Sequence, residues 1–208
     1  MRNKLLLFGG VSAAGKTAIC NSLEEHYGIK NRRVHNYVLE ISKGHPLDEI
    51  VANWDSFLPD AFDKLIADTK AAGALTCDVH FAVQPEIDTA YALNHDYVED
   101  INMPYVKGIG DSALKLKTFS EIDFYMFLIS PPKDTILRRR KNMAKKPRSL
   151  CTDSIKKEME FETRYFHEAA HALKHTTPIV NLIRNKQGHL ESTVKKIAKL
   201  CNIGDGVR

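Results

Sequence analysis

The chain is 208 residues long, the size of one α/β domain, so it is long enough to fold around its own core without disulfide or metal staples. Its 43% apolar and 27% charged content is that of an ordinary globular domain, and a formal net charge of only +4 excludes a strongly basic nucleic-acid coat. No stretch reaches the roughly 20 apolar residues of a membrane span, and the run Leu5–Phe8 is too short for a signal-peptide core.

In chain order, Lys4–Phe8 reads as a buried parallel strand ended by Gly9-Gly10. A helix from Gly15 to Tyr27 follows, with Ile19, Cys20, Leu23 and Tyr27 at helical spacing and Gly28 as its stop. Arg33–Ile41 is expected as a second strand. Leu47–Ala72 reads as one helix or two, with Pro59 as the expected break. Ala74–Val83 is the third strand, and Gln84–Ile122 is poorly periodic and rich in turn signals. Asp123–Ile129 is the clearest strand. Ser130-Pro131-Pro132 is expected to cap and open a helix carrying Arg138, Arg139 and Arg140. A helix over Ser154–Lys174, a strand over Pro178–Ile183 and a helix over Leu190–Leu200 complete the chain. Strands alternating with helices imply a three-layer α/β/α sandwich around a five-stranded parallel sheet, as a single domain over 1–208.

Between the first strand and the first helix stands Gly10-Val11-Ser12-Ala13-Ala14-Gly15-Lys16-Thr17, followed by Ala18. The pattern G-x-x-x-x-G-K-[ST] wraps backbone N–H groups around phosphate oxygens, and the helix opening behind it adds a positive dipole. Lys16 is placed to bridge β- and γ-phosphates, and Thr17 to offer a hydroxyl to Mg²⁺. The match lies between an apolar strand and an amphipathic helix, which is where this chemistry needs it. The expected ligand is ATP with Mg²⁺.

Asp78 follows Leu75-Thr76-Cys77 in the third strand. Ligands of parallel α/β sheets collect beyond the carboxyl ends of strands, so Asp78 is expected to reach the Mg²⁺ or the substrate. The plainer reading is a strand-end aspartate capping a turn. His80 is open between orienting a phosphate and packing.

His167-Glu168-Ala169-Ala170-His171 fits H-E-x-x-H, the zinc-hydrolase pattern. On a helical wheel referred to Phe166, Ile155, Met159, Glu162, Ala169, Ala170 and Leu173 share one stripe, and both histidines fall toward the opposite, solvent side. A catalytic zinc also needs a third ligand that the sequence does not identify. The pattern is read as coincidence.

With these residues in view, the chain resembles the P-loop nucleotide and nucleoside kinases, closest to the archaeal-type adenylate kinases. The resemblance rests on Gly10–Thr17, on Asp78-Val79-His80, on Pro132 followed by Arg138-Arg139, and on Arg184-Asn185-Lys186-Gln187-Gly188. It implies that 138–152 is a small mobile lid and that the turn at Asn185–Gly188 lies against the adenine of ATP. Gln84–Ile122 departs from the short glycine-proline segment of archaeal adenylate kinases. It is longer and carries Tyr91, His95, Tyr97, Tyr105 and Lys107, so it is expected as an acceptor-site insertion.

Between Arg138 and Arg148 there are seven basic residues and no acidic one. Guanidinium groups there would stabilise the charge spread over equatorial oxygens during phosphoryl transfer. Because consecutive residues lie about 100° apart on a helix, only one or two of the three consecutive arginines are expected at the ligand, foremost Arg138 or Arg139. The expected activity is ATP-dependent phosphorylation of a nucleotide or nucleoside. Lys16, Asp78, Arg138 and Arg139 are the catalytic candidates, and Thr17 with Asp78 the metal ligands. One alternative is a kinase of a sugar or metabolite alcohol, with Asp78 as the base. The other is a switch or binding protein that hydrolyses nucleotide slowly. Expected partners are ATP and a small-molecule acceptor, not nucleic acid or membrane, with a homo-oligomer left open. The four scattered cysteines, Cys20, Cys77, Cys151 and Cys201, form no C-x-x-C pair and fit a reduced, cytoplasmic setting.

Overall fold

Side-chain alternation along one strand decides which layer each helix joins. In the computed structural model, which describes residues 2–78, 122–142, 150–172 and 179–204, the strand β1 spans Asn3–Gly9. Its Leu5 and Leu7 face one side of the sheet and Leu6 and Phe8 the other, as the two-residue period of a strand requires. All four are almost fully buried, so both faces must be covered.

The helices that cover them follow in order. After β1 come α1 (Lys16–Tyr27), β2 (Asn31–Arg33), α2 (Val34–Ile41), α3 (Leu47–Ala52), α4 (Trp54–Ala72) and β3 (Ala74–Asp78). Beyond the 79–121 segment come β4 (Ile122–Ile129), α5 (Lys133–Lys141), α6 (Thr152–Ala172), β5 (Ile179–Ile183) and α7 (Leu190–Leu200). One core packs Leu5 and Leu7 with Leu75, Phe124 and Met126 against Val38 of α2 and Leu58, Phe62 and Leu65 of α4. The opposite core packs Leu6 and Phe8 with Phe127 and Ile129 against Ile19 and Leu23 of α1, Ile136 of α5 and Val194 and Ile197 of α7. Phe8 and Phe127 stack there with centroids 5.1 Å apart.

All pairings are parallel and the strand order is β2-β3-β1-β4-β5. The expected sandwich and its five-stranded parallel sheet are therefore found. With β1 central, the loop that leaves it emerges in the middle of the carboxyl edge, where ligands of such sheets bind.

Three local expectations are corrected. Arg33–Ile41 is not a strand: β2 stops at Arg33 and Val34–Ile41 is helix α2. Tyr37 and Val38 are buried and Ile41 packs against the same core, the spacing of one helix face. Pro59 does not divide the long helical segment. It lies inside α4, and the break falls at Asn53, which both ends α3 and starts α4. Ser130 does not cap α5 either. Pro132 holds the cap position with no side-chain bond, while the Ser130 N–H extends the sheet by donating to the Ile183 carbonyl at 2.9 Å. The 84–121 insertion, His80, Tyr91, His95, Tyr97, Tyr105, Lys107 and Arg148 lie outside the described residues.

Candidate active site

The turn after β1 is shaped by two glycines and one strained alanine. Gly10 has φ +133°, and a Cβ there would stand 2.4 Å from the Ile129 carbonyl oxygen, a backbone atom that cannot yield. Gly15 has φ +102°, and a Cβ there would meet the Asn185 Nδ2 at 2.5 Å. Between them the Ala14 N–H donates to the Val11 carbonyl at 3.1 Å, closing a turn whose third residue, Ala13, has φ +71°. That is the position where a type II turn ordinarily places glycine. Helix α1 begins at Lys16, immediately behind the loop, with its unpaired N–H groups and positive dipole end toward the loop's concave side.

Around this loop is a cavity of about 480 Å³. Val11 to Ala18, Asp78, Arg139, Asn185 to Gly188 and Leu190 line it. Every loop residue proposed from the sequence except Gly10 reaches the cavity; Gly10 instead sets the turn against Ile129. Asn185 and Gly188 reach it as well. Arg138 does not: it is exposed on α5 and is absent from the lining.

Lys16 is 5% exposed. Its ammonium donates to the Gly10 carbonyl and stands 3.8 Å from Asp78 Oδ1. Thr17 Oγ1 donates to Asp78 Oδ2 at 2.8 Å. The Asp78 side chain is 8% exposed, and its Oδ1 has no hydrogen-bond partner among the described residues. A buried carboxylate oxygen left unbonded costs free energy unless a ligand completes it. Thr17 and Asp78 supply hard oxygen donors side by side, the chemistry that Mg²⁺ takes. The residues present fit that ion.

Sequence reasoning missed the roles of three residues that the fold brings here. Arg33 ends β2 in register with Asp78, and its Nη2 donates to Thr17 Oγ1 at 3.4 Å. The signal was available, because reading 34–41 as a helix would have left Arg33 at the carboxyl edge. Arg140 is 3% exposed and forks onto Glu158 of α6, with Nη1 at 3.0 Å from Oε1 and Nη2 at 2.5 Å from Oε2. The same guanidinium donates to the Ser12 carbonyl at 3.4 Å, tying α6 to the loop. Burial, then the neighbouring Glu162 carboxylate, pushes the Glu158 carboxyl upward, and the bidentate guanidinium opposes that by favouring the charged form. Nothing in the spacing of 140 and 158 announces that pair. Gln187 is the third, accepting from Arg139 Nε at 3.4 Å.

Arg139 is engaged with the protein itself. Its Nη1 donates to the carbonyls of Ala13 (3.2 Å) and Ala14 (2.7 Å), and its Nη2 to the Asn185 carbonyl (3.4 Å). Asn185 Nδ2 donates to the Ala14 carbonyl at 3.1 Å. Arg139 and Asn185 thus fasten the phosphate loop to the 185–188 turn. Desolvation by burial, and then the charge of Arg138, lower the Arg139 pKa, yet a guanidinium stays charged throughout.

On α6, His167 and His171 are both exposed. Among the described residues no group of three His, Cys, Asp or Glu is placed to hold a metal ion, and no helix is long and apolar enough to cross a membrane.

No protein-family model matches the sequence, and no curated protein does. Solved structures do match over nearly the whole chain. A shikimate kinase from Acinetobacter baumannii in complex with shikimate superposes with a TM-score of 0.54 at 14% identity, covering 96% of this chain and 93% of that one. A deoxyadenosine kinase from M. mycoides with bound dATP gives 0.54 at 16%, covering 97% and 100%. A sugar kinase from Janibacter sp. gives 0.50 at 13%, covering 98% and 96%. At such identities the likeness is one of fold, and that fold is the P-loop kinase fold.

Proposed function

We propose that the chain is an ATP-dependent phosphotransferase that passes the γ-phosphoryl group of ATP in line to a nucleotide or nucleoside. The observation that carries this reading is the juxtaposition of Lys16, Thr17 and Asp78 at one end of a loop-lined cavity. A positive ammonium, a hydroxyl and a carboxylate oxygen without a hydrogen-bond donor among the described residues form a set suited to a polyphosphate and its cation. The likeness of the fold to kinases of nucleosides and small metabolites supports the same class.

The loop's N–H groups and the α1 dipole bind and orient the phosphates. Lys16 leaves the Gly10 carbonyl for the transferred phosphoryl oxygens, where its charge counts most as the transition state forms. Thr17 and Asp78 would hold Mg²⁺, which would supply charge neutralisation to the polyphosphate. Asn185–Gly188 and Leu190 offer the turn and apolar contact against which adenine rests. Positioning and electrostatics suffice for such a transfer without a covalent intermediate.

A second reading has a specific observation behind it. Asp78 Oδ1 is free of hydrogen bonds among the described residues, and a carboxylate so placed can accept the proton of an attacking alcohol. In that case the acceptor is a sugar or metabolite alcohol. Labelled ATP offered with Mg²⁺ and a panel of nucleosides, nucleoside monophosphates and alcohols tests both. Label is expected on a member of the nucleotide or nucleoside set. Label only on alcohols selects the second reading, and acceptor-independent hydrolysis alone refutes both.

A further inference from the structure

A trans peptide unit points its carbonyl and its N–H in opposite directions, so whatever holds the one decides where the other aims. In the phosphate loop every carbonyl from Gly10 to Ala14 accepts from a cationic side chain. Lys16 holds those of Gly10 and Val11. Arg140 holds that of Ser12, and Arg139 those of Ala13 and Ala14. The next carbonyl, Gly15, already belongs to α1 and accepts from the Ile19 N–H at 3.1 Å. Two consecutive arginines of α5 thus orient the outer half of the loop.

Arg140 does so from behind. It is 3% exposed and does not line the cavity, whereas Ser12 and Ala13 do. The Ser12 carbonyl is therefore drawn out of the cavity toward α5 and α6, and the N–H of the same peptide unit, on Ala13, is turned into it. By the same rule Arg139 and Asn185 hold the Ala14 carbonyl and aim the Gly15 N–H away from the 185–188 turn. A guanidinium on a carbonyl also polarises the unit, which makes its N–H the stronger donor. The Arg140 fork works on two edges: Nε and Nη2 each lie 3.4 Å from the Ser12 oxygen, while Nη1 and Nη2 grip Glu158. A buried ion pair is poor ground for stability, because apolar side chains of similar volume fill such a place equally well. What an apolar pair cannot do is turn a carbonyl.

We infer that Arg140, held in plane by Glu158, is a positioning residue for phosphate binding, turning the Ser12–Ala13 peptide unit so that the Ala13 N–H meets a phosphate oxygen. Arg139 and Asn185 do the same for the Ala14–Gly15 unit. This rests on the transfer reading above and deepens it, by saying which side chains set the loop's affinity for a polyphosphate. The role is one of orientation, so charge alone does not supply it. A lysine at 140 carries its charge on a single nitrogen and cannot address both edges.

Inorganic tripolyphosphate with Mg²⁺ is the probe, since it engages the loop with neither base nor acceptor. In wild type the amide proton resonances of Ala13 and Gly15 are expected to move downfield on saturation, read by NMR. Calorimetry then compares wild type with Arg140→Lys and with Arg140→Met combined with Glu158→Leu, a pair that leaves no buried charge unmatched. Both variants are expected to bind the probe at least tenfold more weakly, and ATP to weaken by the same factor, with an unchanged circular dichroism spectrum. An Ala13 amide that stays in place when wild type is saturated overturns the inference, whatever the variants do. Wild-type affinity in the double variant overturns it too. So does wild-type affinity in Arg140→Lys, because Arg140 would then act by charge and not by orientation. If ATP weakens more than tripolyphosphate, Arg140 serves the nucleoside and the inference fails. Wild type that binds neither ATP nor tripolyphosphate is a separate readout. It defeats the phosphotransferase reading itself.

Discussion

At the β5 end of the carboxyl edge, Arg139 and Asn185 make five hydrogen bonds that join the phosphate loop to the 185–188 turn and to Gln187. At the β2 end, a three-residue strand presents Arg33 with one long bond to a hydroxyl. The first region is a mould of backbone carbonyls held by side-chain donors. The second is built from side chains, Arg33, Thr17 and Asp78. On the transfer reading proposed above, the difference suits what each end would bind. A polyphosphate is recognised by N–H groups fixed in advance, whereas an acceptor is chosen by the side chains that meet it.

The strongest way to break this contrast is at Lys16, the residue that belongs to both ends. Lys16→Ala should lower turnover by about 10³-fold, the scale of losing one well-placed charge stabiliser, in a protein that still folds. Steady-state kinetics beside circular dichroism decide it. Near-normal turnover in a folded variant would sink the role given to the loop.

The mould should also fail from behind. Glu158→Gln removes the carboxylate that the buried Arg140 guanidinium grips with two bonds, and breaking such a pair costs about 3–5 kcal/mol, measurable by urea unfolding. Replacing both members by methionine and leucine should recover most of that stability. It should not recover ATP affinity, because the bond to the Ser12 carbonyl is gone. A double variant that binds ATP normally would show that α6 does not support the loop.

A smaller effect separates bracing from catalysis. The sequence suggested Arg139 as a transition-state clamp, which predicts a fall in kcat at constant ATP affinity. Its donors are engaged by the carbonyls of Ala13, Ala14 and Asn185, so Arg139→Gln should instead raise the KM for ATP about tenfold, the loss expected of charge-assisted hydrogen bonds. A fall in kcat with unchanged KM would restore the clamp. Smallest of all, Ala13→Gly relieves a left-handed alanine while loosening the unfolded chain. It should stabilise the protein by about 0.5 kcal/mol, checked by thermal unfolding.

The phosphate loop was legible in the sequence because its chemistry is local: each residue of the motif acts within a few positions of the next. The sheet was legible for a related reason, since buried parallel strands are apolar runs, as Phe124 to Ile129 shows. The β2 region was not, because Tyr37, Val38 and Ile41 favour strand by composition and helix by spacing, and spacing won. The Arg140–Glu158 pair was illegible in principle. Its members lie eighteen positions apart, one on α5 and one on α6, and only packing brings them together.

Arg138, Arg139 and Arg140 turn about 100° per step in the last turn of α5, so one faces solvent, one the 185–188 turn and one α6. Identical neighbours give that turn an uneven tolerance to changes in length. One residue inserted between Leu137 and Arg138 slides the run forward by a step, yet arginines still occupy both working directions, and only the exposed direction changes hands. Deleting Arg138 slides it back, and Lys141 then inherits the direction that faces Glu158. The charge survives, but the fork that grips both carboxylate oxygens is lost. The exposed arginine, which touches none of the cavity, thus serves as a spare that protects the two behind it from insertions but not from deletions.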